Sequence, residues 1–491
     1  QALSSDSTQP NVTDCKASWN DLPAETRNEI VRLVPILGGK CSQLATVCRD
    51  WHSIIEPLNF SNISLTIPYL ADPISQTMLF RHREQIRYIW FKVELEGFCC
   101  MNCRSPSNRF LSSARDNKIL MNGFEKLFKT LSTWEPCDDH LVLDISVYSP
   151  TDNQHWFKYL DFRPDNDLDD QETAILDDPA HGWVAGQNNS DAGILPTTAL
   201  FDDIMCDKPF GSWWLSLPLV PVVGAVLLRQ QTRRRWNQLA LANMLTRFPN
   251  MKELFADQQD IGNQQLIESF RSTKLCKLTI FENFTEYPEA GIVFPAIRAL
   301  DPDVSRKLVR SSLHLTTLSA SFIVDASHFF AECQDSWVWK NLTSLTLTSR
   351  ALTESTSPSD INVMLHAAAA AAFNMPKLDT MELWNGRRGV AMLFRYQRAQ
   401  NWQPAIITLR GTSVLALDDP TVVRAWDNVA YQHSHGTVKF VQDSIDSDKI
   451  RSHADAIRLL GLSTDVVRPV SLQQILREHR LRRTGHRRDW Y

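Results

Sequence analysis

The chain has 491 residues, of which 43% are apolar and 22% charged, with a formal net charge of −5. This is ordinary composition for a soluble globular protein long enough to form several domains. A balance so close to neutral gives no overall attraction to a polyanion or a membrane surface.

Residues 1–16 read as a disordered tail. Order is expected to begin at 17–60, where two short amphipathic helices are written. Leu22-Pro23 opens the first, with Pro23 suited to a first turn and Asp21 and Glu25 placing negative charge near the positive helix end. Ile30, Leu33, Val34 and Leu37 follow at helical spacing, Pro35 should end the helix, and Gly38-Gly39 makes the turn. Leu44, Val47, Cys48, Trp51 and Ile55 repeat the stripe and predict one further helix. Two such helices cannot bury both faces alone. They need either a partner or a following domain that they cap.

A first set of repeat-like strands and helices is expected over 61–149. Cys99, Cys100 and Cys103 cluster there, with Cys137 downstream, but a fourth ligand at zinc spacing is missing, so reduced core thiols are expected and no metal. Residues 150–208 are rich in Asp, Asn, Pro and Gly and predict a long exposed acidic insertion. The 209–228 stretch (PFGSWWLSLPLVPVVGAVLL) has the length of a membrane span, yet its prolines and glycines break it. A buried strand over Val222–Leu228 is expected instead, and no membrane partner.

An apolar-x-x-apolar-x-apolar pattern then organises the chain. It is clearest at Leu275/Leu278/Ile280, Leu342/Leu345/Leu347 and Leu378/Met381/Leu383. Weaker copies are Ile86/Ile89/Phe91, Val142/Ile145/Val147, Val223/Val226/Leu228, Met251/Leu254/Ala256 and Leu315/Leu318/Ala320. From residue 223 the copies start 28, 24, 40, 27 and 36 residues apart. Helices are expected between them. Leu266, Ile267 and Phe270 share one face; Val304, Leu308 and Val309 share another. Residues 361–373 include a run of alanines, the best helix former. Met392, Tyr396 and Ala399 predict a further helix over 387–400. Strand then helix, repeated through 209–476, implies an α/β arrangement of parallel strands backed by helices. The last residues, 477–491, carry Arg477, Arg480, Arg482, Arg483, Arg487 and Arg488 and read as a solvated basic tail, with nucleic acid a minority expectation.

The repeat phase assigns faces. Apolar positions point to the helices, so the residues between them share the opposite face. That places Tyr88, Trp90, Asp144, Ser146, Tyr148, Phe255, Lys277, Phe281, Thr346, Glu382 and Trp384 on one surface. Aromatics there either bind something or are covered by loops or by the chain's own C-terminal segment. Motifs for phosphate cradling, nucleophile elbows and zinc hydrolysis are absent, so no catalytic residue and no cofactor is assigned.

The Leu22-Pro23 start, the spacing to Val47-Cys48 and the trailing Trp51 and Phe60 resemble an F-box. The region beyond resembles the degenerate leucine-rich repeats that often follow one, although an Asn at the repeat turn is present only at Asn283. The runs at 318–330, 341–350 and 375–387 resemble filamentous-fungal F-box proteins. The resemblance implies a cytoplasmic or nuclear, non-catalytic substrate receptor of an SCF-type ubiquitin ligase. An N-terminal F-box would dock on the adaptor, and through it on cullin, with candidates Leu22, Pro23, Ile30, Leu33, Val47, Cys48 and Trp51. An irregular leucine-rich-repeat-like arc would hold an unknown protein substrate, with candidates Tyr88, Trp90, Tyr148, Phe255, Lys277, Phe281, Glu382 and Trp384. The alternative is a scaffold of the same build without ligase activity.

Overall fold

The computed structural model describes residues 19–481 apart from 36, 38–40, 98–108, 137–139, 155–156, 166–176, 182, 185–186, 189–202, 206–208, 230–233, 259–263, 271–273, 285–301, 401–402, 414 and 416–418. The cysteine cluster and the last ten residues of the basic tail lie outside the described residues. Two compact units are present. One comprises residues up to Ile63 with His82–Arg87; the other comprises Ser64–Arg81 with residues from Tyr88 onward.

The first unit is helical. Helix α1 (Ala24–Leu33) starts after Pro23, with Glu25 in its first turn and Arg32 in its last, charges that suit the helix dipole. Helices α2 (Cys41–Leu44) and α3 (Arg49–Ser61) follow, and α1 and α2 both pack on α3. The single helix expected across Leu44–Ile55 is therefore interrupted. Cys48 is extended (φ −162°, ψ 175°), and the chain restarts as a helix at Arg49, with Asp50 in the first turn. Branched Thr46 and Val47 are weak helix formers at this break.

The second unit is α/β and built on a twelve-stranded sheet whose strands lie side by side in sequence order. They are β1 (Asn62–Thr66), β2 (Tyr88–Glu94), β3 (Leu141–Tyr148), β4 (Val223–Leu228), β5 (Glu253–Gln258), β6 (Lys277–Glu282), β7 (Thr317–Ser321), β8 (Ser344–Thr348), β9 (Thr380–Arg387), β10 (Val390–Gln397), β11 (Ala405–Gly411) and β12 (Val438–Ser444). From β2 to β9 every pairing is parallel. The second and third apolar positions of the repeat form continuous rows: Leu254, Leu278, Leu318, Leu345 and Met381 are successive ladder partners, as are Ala256, Ile280, Ala320, Leu347 and Leu383. All ten are buried. In β3 the ladder sets Leu143, not Ile145, beside Ile89 and Val226, so this copy starts two residues earlier than the sequence suggests; the register shifts at Leu141/Val142.

Helices α4 (Ile67–Ala71) and α5 (Pro73–His82) lie between β1 and β2 in the chain and α6 (Arg109–Leu131) between β2 and β3, while α7 (Pro209–Ser216), α8 (Gln238–Leu245), α9 (Gln264–Ser269), α10 (Pro302–Ser312), α11 (Ala326–Ala331), α12 (Pro358–Phe373) and α13 (Pro420–Ser434) pack each on the next in chain order. Each strand–helix step thus covers its neighbour, which is how a repeat stack builds one core. Val223–Leu228 is the buried strand expected, and no described helix is long and apolar enough to cross a membrane.

The 387–400 segment is not a helix. It is strand β10, antiparallel to both β9 and β11. Met392 and Tyr396 share a face in a helix and equally in a strand, because four residues complete two strand periods. Gly389, at φ +75°, makes the tight β9–β10 turn, a conformation that a side chain disfavours.

Candidate functional site

In the helical unit Val31 and Ile55 are buried, and Trp19 and Trp51 pack with ring centroids 6.1 Å apart. Much of the remaining apolar surface stays uncovered. Leu33 is 50% exposed, Leu37 84%, Val47 60%, Leu58 40% and Trp19 39%. Among the adaptor candidates Pro23, Leu33, Val47 and Cys48 are exposed, while Leu22, Ile30 and Trp51 are half-buried. Isolated exposed leucines need no explanation, but so many on so small a helical unit are an unusual exposure of apolar side chains.

The expected substrate face has two parts. Over β2–β5 it is polar and charged. Asp144 is fully buried, accepts from the Tyr88 hydroxyl and forms an ion pair with Arg229, which also donates to Tyr88. Burial pushes the Asp144 carboxyl up to about 6 despite the guanidinium, and burial followed by the Asp144 charge raises the Tyr88 phenol. Trp90 donates through Nε1 to Ser146 Oγ at 2.8 Å, with Lys92 Nζ 4.7 Å and Arg229 Cζ 5.5 Å from its ring centre. Half-buried Tyr148 stacks on Phe162 at 4.8 Å, and half-buried Phe255 lies under the Arg468 guanidinium at 5.5 Å. Lys277 is exposed and pairs with Glu253 at 2.7 Å.

Over β6–β10 the second of the two expected outcomes holds, cover by the chain's own C-terminal segment, so Phe281, Glu382 and Trp384 are not open to a substrate. Helices α14 (His453–Leu460) and α15 (Pro469–Leu481) bring Ala454, Ile457, Leu460, Ile475 and Leu476 into one buried cluster with Phe281, Trp384 and Leu393. Phe281, Glu382 and Trp384 are fully buried, and Trp90 is 8% exposed. Polar groups of the strands hold the cover down. Glu382 accepts from Arg395 Nε at 2.6 Å and from the Ser463 backbone N–H at 2.9 Å. Asn283 meets His453 Nε2 at 2.9 Å. Asp257 accepts from the Arg468 backbone N–H at 3.0 Å, and Asp165 from that of Val470 at 3.2 Å and from Arg468 Nε at 2.8 Å. Two carboxylates thus sit at the start of α15, where unsatisfied N–H groups and the helix dipole favour negative charge. Burial pushes the Asp257 carboxyl up to about 7.

The same cover corrects two neighbouring expectations. Within 150–208, Phe157, Tyr159, Leu160 and Trp183 are buried with Leu481, so this stretch is not exposed throughout. Arg477 and Arg480 belong to α15 rather than to a free tail. Arg229, Asp165, Asp257, Arg395 and Arg468 were not singled out by sequence reasoning. For Asp257 and Asp144 the signal was present: each is an acid at a strand position that the repeat aims away from the helices. Among the described residues no cluster of His, Cys, Asp and Glu could hold a metal ion.

Residues 270–468 match a family of unknown function (DUF6546), a span that takes in β6 to β12 and α14. No curated protein matches the chain.

Proposed function

We propose that the chain is a non-catalytic substrate receptor of an SCF-type ubiquitin ligase, with residues 17–60 as an F-box that docks on the ligase adaptor and, through it, on cullin. The observation that carries this reading is the uncovered apolar surface of the helical unit, with Leu33, Leu37 and Val47 at least half exposed. Amphipathic helices that dock in grooves present apolar anchors in this manner. The strand–helix stack then holds the protein substrate, and the contacts left to it on the sheet are the accessible ones, Tyr88, Tyr148, Phe255 and Lys277. Catalysis is supplied by other subunits through proximity. Recombinant adaptor titrated with the full chain and with a chain lacking residues 17–60 tests the reading: binding is lost with the segment, and unchanged affinity rejects it.

A second reading, a docking scaffold without ligase activity, draws on the covered face at Phe281, Glu382 and Trp384. Adaptor binding without ubiquitin transfer to any co-purified protein would favour it.

A further inference from the structure

Strand β12 ends the sheet, and no described strand pairs with its second edge. It is also the least covered strand: after half-buried Val438 every residue to Ser444 is exposed, including Phe440 at 37% and Val441 at 38%. An open, seven-residue edge of this kind is a template for another strand. Its phase can be read from the backbone. Ile445 N–H donates to Gly411 C=O at 2.8 Å. In a regular parallel ladder the odd-numbered residues of β12 therefore face β11, and Phe440, Gln442 and Ser444 aim their N–H and C=O groups outward. Val438 N–H is taken by Asp427 Oδ1 at 3.1 Å.

We propose that this edge pairs with the same edge of a second copy of the chain, antiparallel and centred on Val441. The sequence of the strand, VKFVQDS, chooses this occupant. Around Val441, Lys439 falls opposite the second copy's Asp443 and Asp443 opposite its Lys439, so both ends of the pair carry complementary charge. Phe440 falls opposite Gln442, and these two outward-facing residues exchange their N–H and C=O groups as a hydrogen-bonded pair. Val441 meets its own copy, and Lys439 meets Asp443, in the closer, non-hydrogen-bonded pairs, where side-chain contact is strongest. Asp443 already binds Arg410 at 2.6 Å within its own chain, so the second Lys completes a cation–anion–cation row. A lysine on an edge strand ordinarily discourages pairing; here the symmetric register gives it an acid. The contact is isologous, as a two-fold dimer requires. Being narrow, it belongs to the weak class, with Kd on the order of micromolar.

Sedimentation velocity of the full chain from about 1 to 100 µM should show a reversible monomer–dimer equilibrium. Gln442→Pro removes an outward N–H without touching the β11–β12 ladder and should leave only monomer with an unchanged melting temperature. Lys439→Glu, a change of an exposed side chain, should weaken self-association about tenfold or more, by setting like charges opposite each other twice. Mixed with a Asp443→Lys chain it should form a heterodimer, because both facing pairs then become Glu–Lys or Asp–Lys. A chain that is monomeric throughout the range overturns the proposal and leaves the edge to a strand of another protein. A dimer indifferent to Gln442→Pro overturns it as well, since the contact then lies elsewhere. Loss of the dimer in Gln442→Pro with no heterodimer from the charge-swapped pair overturns the register centred on Val441.

Discussion

The helical unit and the sheet unit treat similar side chains in opposite ways. In the helical unit Leu33, Leu37 and Val47 lie on the surface, and few of its described residues are buried. In the sheet unit Phe281 and Trp384, written at strand positions that face away from the backing helices, are sealed beneath α14 and α15. The difference lies in what the rest of the chain provides. A repeat stack has two faces, and here the C-terminal segment supplies the second cover, anchored by Glu382, Asn283 and Asp257. Apolar residues become a binding surface only where no cover is encoded, so exposure has to be established before an aromatic residue is assigned to recognition.

Removing the seal is the most severe way to break that contrast. Trp384 is fully buried and packs edge-on against Phe322 with centroids 5.0 Å apart. Trp384→Ala should cost about 3–5 kcal/mol through lost contacts and the cavity left behind, read as a large fall in chemical-denaturation stability. Glu382→Ala strands the 14%-exposed Arg395 side chain without its carboxylate, and one-sided loss of a buried pair costs about 3–5 kcal/mol. A stability within error of wild type for either variant would place these residues on a surface after all. The opposite effect is expected in the helical unit. Replacing Leu22 and Pro23 together with alanine should weaken adaptor binding tenfold or more, as loss of central anchors of about 2 kcal/mol would, while the unfolding midpoint of the sheet unit stays in place. Equal adaptor affinity for the variant and wild type would remove the docking assignment.

How much of this was legible varies with the kind of signal. The alternation that puts Leu278 and Ile280 on one side of a strand is local, and the second and third apolar positions of all eight repeat copies lie on strands, with only the β3 copy displaced. The alanine-rich run was equally plain, and α12 occupies Pro358–Phe373. Residues 387–400 misled because Met392 and Tyr396 satisfy both periods, and the deciding information, the turn at Gly389 and two antiparallel neighbours, is not local. The break at Cys48 leaves no mark in the hydrophobic pattern because the apolar stripe runs on through it. For the candidate site, Glu382 and Trp384 were placed on the right side of the sheet, but their cover comes from residues about seventy or more positions later. No pattern near residue 382 records that Ser463 will donate to its carboxylate.

The smallest expected effect probes how the cover is held. Asp257 is fully buried at the start of α15, and burial raises its carboxyl from the ordinary 3.8 to about 7. A group whose folded value lies above its unfolded one binds more protons in the folded state, so the stability it confers is present below about pH 4 and falls as pH rises toward about 7. Asparagine keeps an oxygen for the Arg468 N–H and carries no charge to desolvate. Asp257→Asn should therefore match wild type at about pH 4 and exceed it by a growing margin as the pH rises to about 8, where the wild-type carboxyl is ionised. Denaturant titrations of both proteins across this range measure the difference directly. A difference that stays constant with pH, or a wild type that gains on the variant as pH rises, would mean that Asp257 is ionised throughout and that its charge, offset by Arg468 and the α15 N–H groups, fastens the C-terminal cover to the sheet.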